Sequence, residues 1–174
     1  MGKNSAILAL DIGTTFGWAF AVDGAIIKSG SVNLGNYDGH KGLVYTRFYN
    51  WLQDWVGLVD YVAYELVMEH AHFCPRRKRR VANTIAAQTY GGMLAMVQML
   101  IYLSRPRITA VPVHVATLKK EFTGSGKAKK IDICARAHHL GWLGGEVGTD
   151  KAHDEADAFA LAHITLERLR NGML

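Results

Sequence analysis

The chain has 174 residues, 49% hydrophobic and 20% charged, which suits one well-filled domain and excludes a disordered or fibrous protein. Its net charge of +5 and pI of about 9.3 point toward a polyanionic partner. The longest apolar stretch, Met93 to Leu103, is interrupted by Gln98 and is too short to span a bilayer. The opening residues show no secretory pattern, and Ala6 stands where a myristoylation signal needs Ser or Thr. Two cysteines, Cys74 and Cys134, fit a reducing compartment better than a disulfide framework, so an intracellular protein with no membrane association is expected.

In chain order, residues 5–11 and 17–22 read as apolar strands joined by Gly13, Thr14 and Thr15. A third strand runs from Ala25 to Val32 behind the Asp23-Gly24 turn signal, which makes an antiparallel meander. Residues 41–57 place Leu43, Val44, Phe48, Trp51, Leu52 and Trp55 at helical spacing, and Tyr61 to Val67 reads as a buried strand reached by a crossover. Ala82 to Leu103 is a long apolar helix, weak at Gly91-Gly92, that could serve as core and as a subunit interface. A β-rich stretch from Ile108 to Val115 follows, interrupted by Pro112, and then helices at 116–122, 129–140 and Ala152 to Arg170. The pattern predicts an α/β domain spanning residues 1–174: a five-stranded mixed sheet, three antiparallel strands and then parallel ones, with helices on both faces.

The acids fall at telling places. Asp11 ends the first strand, Glu65 sits in the fourth, and Asp154 and Asp157 share one face of the last helix in HDEADAFALA. If the first and fourth strands are central neighbours, the four carboxylates converge. Each has a plainer reading: Asp154 as a helix cap, Asp157 as a favourable first-turn charge, Asp11 as a turn residue. Glu65, inside YVAYELV, is the hardest to explain as mere solvation. Buried carboxylates without counter-charge are costly, so their convergence implies bound cations, and oxygen-only ligation suits Mg²⁺ or Mn²⁺. Two basic clusters lie elsewhere: Arg76, Arg77, Lys78, Arg79 and Arg80 in one run, and Lys119, Lys120, Lys127, Lys129 and Lys130 around a glycine-containing turn. Either could be solvated surface or a nucleic-acid contact.

Two other chemistries fit poorly. GSGK at 124–127 lacks the first glycine of a phosphate loop, since Glu121 stands there, and Ala128 replaces the Ser or Thr that would hold Mg²⁺, so no nucleotide cofactor is expected. His70, His72 and Cys74 lack a spaced second pair of zinc ligands. Actin-like and sugar kinases also open with a strand ending in Asp-Ile-Gly-Thr-Thr, but the second phosphate loop and adenosine motif they need are missing from this sequence.

Taken in order, LALDIGTTFGWA, YVAYELV, VATLKKEFTGSGKAKK and HDEADAFALA resemble the RuvC-type Holliday junction resolvases, bacteriophage and viral members included, over about residues 6–165. The resemblance implies a ribonuclease H-like fold, a homodimer, four-way DNA junctions as substrate, and a cytoplasmic setting in a bacterium or in the host of a phage or virus. It implies two divalent ions per site held by Asp11, Glu65, Asp154 and Asp157, with Lys119 and Lys130 as the catalytic lysines. The basic residues 76–80, together with Lys120, Lys127 and Lys129, become candidate DNA contacts. His153, beside Asp154, stands where some related nucleases place a ligand. A branched-DNA-binding protein without catalysis is the other expectation, although such a protein would be expected to have lost some of the acids.

Overall fold

The computed structural model describes residues 5–35, 41–67, 84–142, 144 and 150–174. Among these, five strands, β1 (Ile7–Asp11), β2 (Thr15–Val22), β3 (Ala25–Asn33), β4 (Tyr61–Leu66) and β5 (Thr109–His114), form one sheet in the order β3-β2-β1-β4-β5. β1 pairs antiparallel with β2 and parallel with β4, so it lies at the centre, as its run of apolar residues requires. β2 begins at Thr15, ahead of the expected start at Gly17, which shortens the first turn to Ile12, Gly13 and Thr14. The second turn has Asp23 at φ 56° and Gly24 at φ 82°, the paired positive values that suit a tight hairpin. Pro112 lies in β5 opposite Tyr64, on an edge strand where a missing N–H is tolerated.

Five helices complete the described residues: α1 (Lys41–Gln53), α2 (Thr84–Leu103), α3 (Val115–Thr123), α4 (Lys130–His139) and α5 (Asp150–Arg170). α1 stops at Gln53, short of the expected end at Gly57, and turns follow in which the Trp55 N–H donates to the Leu52 carbonyl and the Leu58 N–H to the Trp55 carbonyl. The glycine pair does not break α2. Gly92 instead faces the Tyr45 ring, where a Cβ would come within 2.7 Å, so it lets α1 and α2 approach.

Strand alternation sorts the core into two layers. Ile7, Ala9, Ala19, Ala21, Ala63, Val111 and Val113 pack with α3, α4 and α5. Leu8, Leu10, Phe16, Trp18, Val62 and Tyr64 pack with α1 and α2. Helices therefore cover both faces, as expected. α5 is held at its far end by Arg170, which donates to the Gly24 carbonyl at 2.7 Å, and by Arg168, which donates to both Glu121 carboxylate oxygens at 2.9 and 3.0 Å.

Candidate functional site

Asp11 belongs to the alternating set Ile7, Ala9, Asp11, and Glu65 to Tyr61, Ala63, Glu65, so both acids face the α5 side of the sheet. Leu10 pairs with Tyr64, which makes Asp11 and Glu65 the next residues on two parallel neighbours. Asp154 and Asp157 come from α5. Because that helix begins at Asp150, neither is a cap, and the plainer reading of Asp154 falls away. Glu65 and Asp157 are each only 8% exposed.

The electrostatics join the four. Burial, then the adjacent Glu65, with which it shares a hydrogen bond, and then Asp154, hold Asp11 well above the usual carboxylate range. Asp157 is pushed up to about 7 by burial and by Asp11, against the pull of Lys130 and Lys119. Glu65 is raised by burial, eased by the hydrogen bond from Asp11 and by the same two lysines. A hydrogen bond between two carboxyl groups needs a proton, and burial raises both Asp11 and Glu65 toward the form that shares one. Lys130, the first residue of α4, reaches Asp154 Oδ1 at 3.5 Å. Burial works against its charge, yet Asp157, Asp154 and Asp11 together raise it above the ordinary lysine value, so it stays protonated at neutral pH.

The structure thus brings Asp11, Glu65, Asp154, Asp157, Lys119 and Lys130 within electrostatic reach of one another. Among the described residues, no three His, Cys, Asp or Glu side chains are drawn together as a ready-made ion cage. Lys120, Lys127 and Lys129 are exposed on α3 and on the turn leading to α4, which Gly124 opens at φ 85°. His153 is partly buried, one residue before Asp154. Arg76, Arg77, Lys78, Arg79 and Arg80 lie outside the described residues, as do His70, His72 and Cys74.

Two positioning features escape the sequence patterns. Gly17 is the register partner of Asp11 on β2, and a Cβ there would stand 1.8 Å from the Asp154 carbonyl oxygen. Glycine is what lets α5 lay Asp154 beside the strand that carries Asp11. A glycine inside a strand does signal a close approach, though not to what. Glu155 is the second feature: its Oε1 accepts from Ser29 Oγ at 2.6 Å and from Trp142 Nε1 at 3.1 Å, tying the early turns of α5 to β3 and to the turn after α4.

Comparison with solved structures finds this chain similar to RuvC-type Holliday junction resolvases over nearly its whole length. Thermus thermophilus RuvC superposes with a TM-score of 0.68 at 18% identity, covering 96% of each chain. The same protein in complex with Holliday junction substrate gives 0.71 at 18% identity, covering 97% of this chain and 96% of that one. The yeast mitochondrial Holliday junction resolvase Ydc2 gives 0.65 at 14% identity, covering 99% of this chain and 84% of that one. The fold is the ribonuclease H-like fold as in RuvC. No family model matches the chain, and no curated protein sequence matches it. Among the described residues, no helix is long and apolar enough to cross a membrane.

Proposed function

We propose that this chain is a divalent-metal-dependent endodeoxyribonuclease that resolves four-way DNA junctions as a homodimer. The observation that carries the reading is the electrostatic interaction of Asp11, Glu65, Asp154 and Asp157 with one another and with two lysines beside the ends of the two parallel strands β1 and β4. The donor set fits hard cations: all four are carboxylates, and the burial and mutual repulsion that raise Asp11 and Asp157 above the ordinary carboxylate value are what a divalent ion offsets. Asp11, Glu65, Asp154 and Asp157 would hold Mg²⁺ or Mn²⁺, two per site. The chemistry such ions supply is activation of water and stabilisation of the leaving oxygen in phosphodiester hydrolysis.

The chain's own residues do the rest. Asp11, central and set on a rigid strand, fixes the position about which the other acids gather. Lys130, charged and 54% exposed along its side chain, lies where it can meet a phosphate oxygen as negative charge builds up, and Lys119 adds a second cation. Lys120, Lys127 and Lys129 extend this positive surface outward, the run at 76–80 lies between β4 and α2 in sequence, and both would serve DNA binding. A two-fold dimer would set two such sites against the near-symmetry of a junction. The junction-bound RuvC relative supports that substrate class.

The test is cleavage of a mobile four-way junction, against linear duplex, in Mg²⁺, Mn²⁺ or EDTA, resolved on a denaturing gel. Cutting of the junction alone, abolished by EDTA, is expected. Asp11→Asn should slow cutting by more than about a hundredfold, since it removes several kcal/mol of transition-state stabilisation, while junction binding holds or tightens. A wild-type protein that binds junctions in every buffer and never cuts them would instead be a non-catalytic binder.

A further inference from the structure

Glu65 stands near the end of its strand, since β4 ends one residue later at Leu66, and its backbone there is supported from outside the sheet. Tyr90, in the second turn of α2, donates from its hydroxyl to the Glu65 carbonyl oxygen at 2.8 Å. The hydroxyl oxygen in turn accepts from the Val67 N–H at 3.2 Å. One phenol therefore bridges the peptide groups on either side of Leu66, closing the end of the strand as the neighbouring strand would if pairing continued. The ladder between β1 and β4 stops at Leu10 and Tyr64 while that between β4 and β5 runs on to Leu66 and His114, so Tyr90 adds a hold at the end of β4.

We propose that Tyr90 is a positioning residue for the acid site: its hydroxyl fixes the backbone at Glu65 and so sets where that carboxylate stands relative to Asp11. The proposal rests on the metal-dependent nuclease reading. Two observations argue for it beyond ordinary helix-to-strand packing. The hydroxyl is used twice, as donor and as acceptor, on one short stretch of chain. The peptide it holds belongs to an acid that shares a hydrogen bond with Asp11, so a small shift at Glu65 is felt at the centre of the site. Groups that orient ligands from behind typically change ion affinity or activity by roughly tenfold or more when removed.

The molecule also holds a built-in control. Tyr45 on α1 donates to the Gln88 carbonyl at 3.1 Å, another phenol-to-backbone bond made to the same helix but not to any strand carrying an acid. Tyr90→Phe and Tyr45→Phe each remove one oxygen and keep the ring. Each variant is titrated with Mn²⁺ and followed by thermal shift, then assayed for single-turnover junction cutting and for junction affinity. The expected result is that Tyr90→Phe raises the Mn²⁺ midpoint and lowers the single-turnover rate, each by roughly tenfold. Junction affinity should stay within about twofold, and without metal both variants should melt within a few degrees of wild type. Tyr45→Phe should leave the Mn²⁺ midpoint and the rate unchanged. If wild type binds Mn²⁺ and cuts while Tyr90→Phe matches it, or if Tyr45→Phe shifts the Mn²⁺ midpoint as far as Tyr90→Phe does, the Tyr90 assignment is overturned and the nuclease reading stands. If wild type neither responds to Mn²⁺ nor cuts, the nuclease reading fails and the Tyr90 assignment falls with it.

Discussion

The two faces of the sheet are built from different kinds of residue. Toward α5 the strands present Ala9, Ala19, Ala21 and Ala63, and α5 answers with Ala152, Ala156, Ala158, Ala160 and Ala162. Toward α1 and α2 lie Leu10, Phe16, Trp18 and Tyr64 against Phe48, Leu52, Met93 and Val97. An aromatic chain runs through that second face, from Phe48 to Phe16 at 5.2 Å and on through Trp51 and Trp18 to Trp55. Small side chains allow a helix backbone to come close to a sheet, and that closeness is what carries two acids of α5 to the ends of the central strands. Large ones exclude more water and contribute more stability. One face is built for placement and the other for holding the fold together.

Changes on either face should therefore read out differently. The largest effect expected is on stability: Phe48→Ala, at a fully buried ring, should cost about 3–5 kcal/mol in a urea titration. The molecules that remain folded should cut at the normal rate. Gly17→Ala comes next and acts in the opposite way. Its added methyl must displace the start of α5, so cutting should fall by roughly a hundredfold, the cost of about 1 Å of misplacement, with a smaller change in the urea midpoint. Equal losses of activity and stability in both variants would erase the distinction between the faces.

The smallest effect concerns His163, on the alanine side, whose ring meets the Phe122 edge at 5.6 Å. Burial lowers its pKa, with Arg136 and Arg170 assisting and Glu167 opposing. The unfolded chain then takes up a proton at a higher pH than the folded one, so this group's contribution is present above the ordinary histidine value. It is lost as pH falls through that value toward the lower folded one. Melting temperatures at pH 5 and 7.5 should accordingly differ more for wild type than for His163→Gln.

Much of this is legible in the sequence. Asp11 ends one apolar strand and Glu65 sits in another, and the apolar character of both strands permits them to be central neighbours, which is what brings the two acids together. The start of α5 was less legible, because Asp154 has the chemistry of a cap and only the backbone shows the helix already under way at Asp150. The roles of Gly17 and Tyr90 were illegible for a different reason. Each depends on what a distant segment brings opposite it: Asp154 lies far along the chain from Gly17, and the peptide at Glu65 lies across the sheet from Tyr90. Local pattern says that a glycine sits in a strand or a tyrosine in a helix, and the partner is decided only by the fold.

The rims of the sheet carry a separate consequence. An exposed edge strand is a template on which another chain can lay down a strand, and folded proteins blunt such edges with proline or with charge. Here both rims are treated in that way: β5 has Pro112, and β3 has the exposed Lys28, whose ammonium lies 5.8 Å above the Trp18 ring. Growth of the sheet from molecule to molecule is discouraged at either end. An edge so blunted does not go on adding strands without limit.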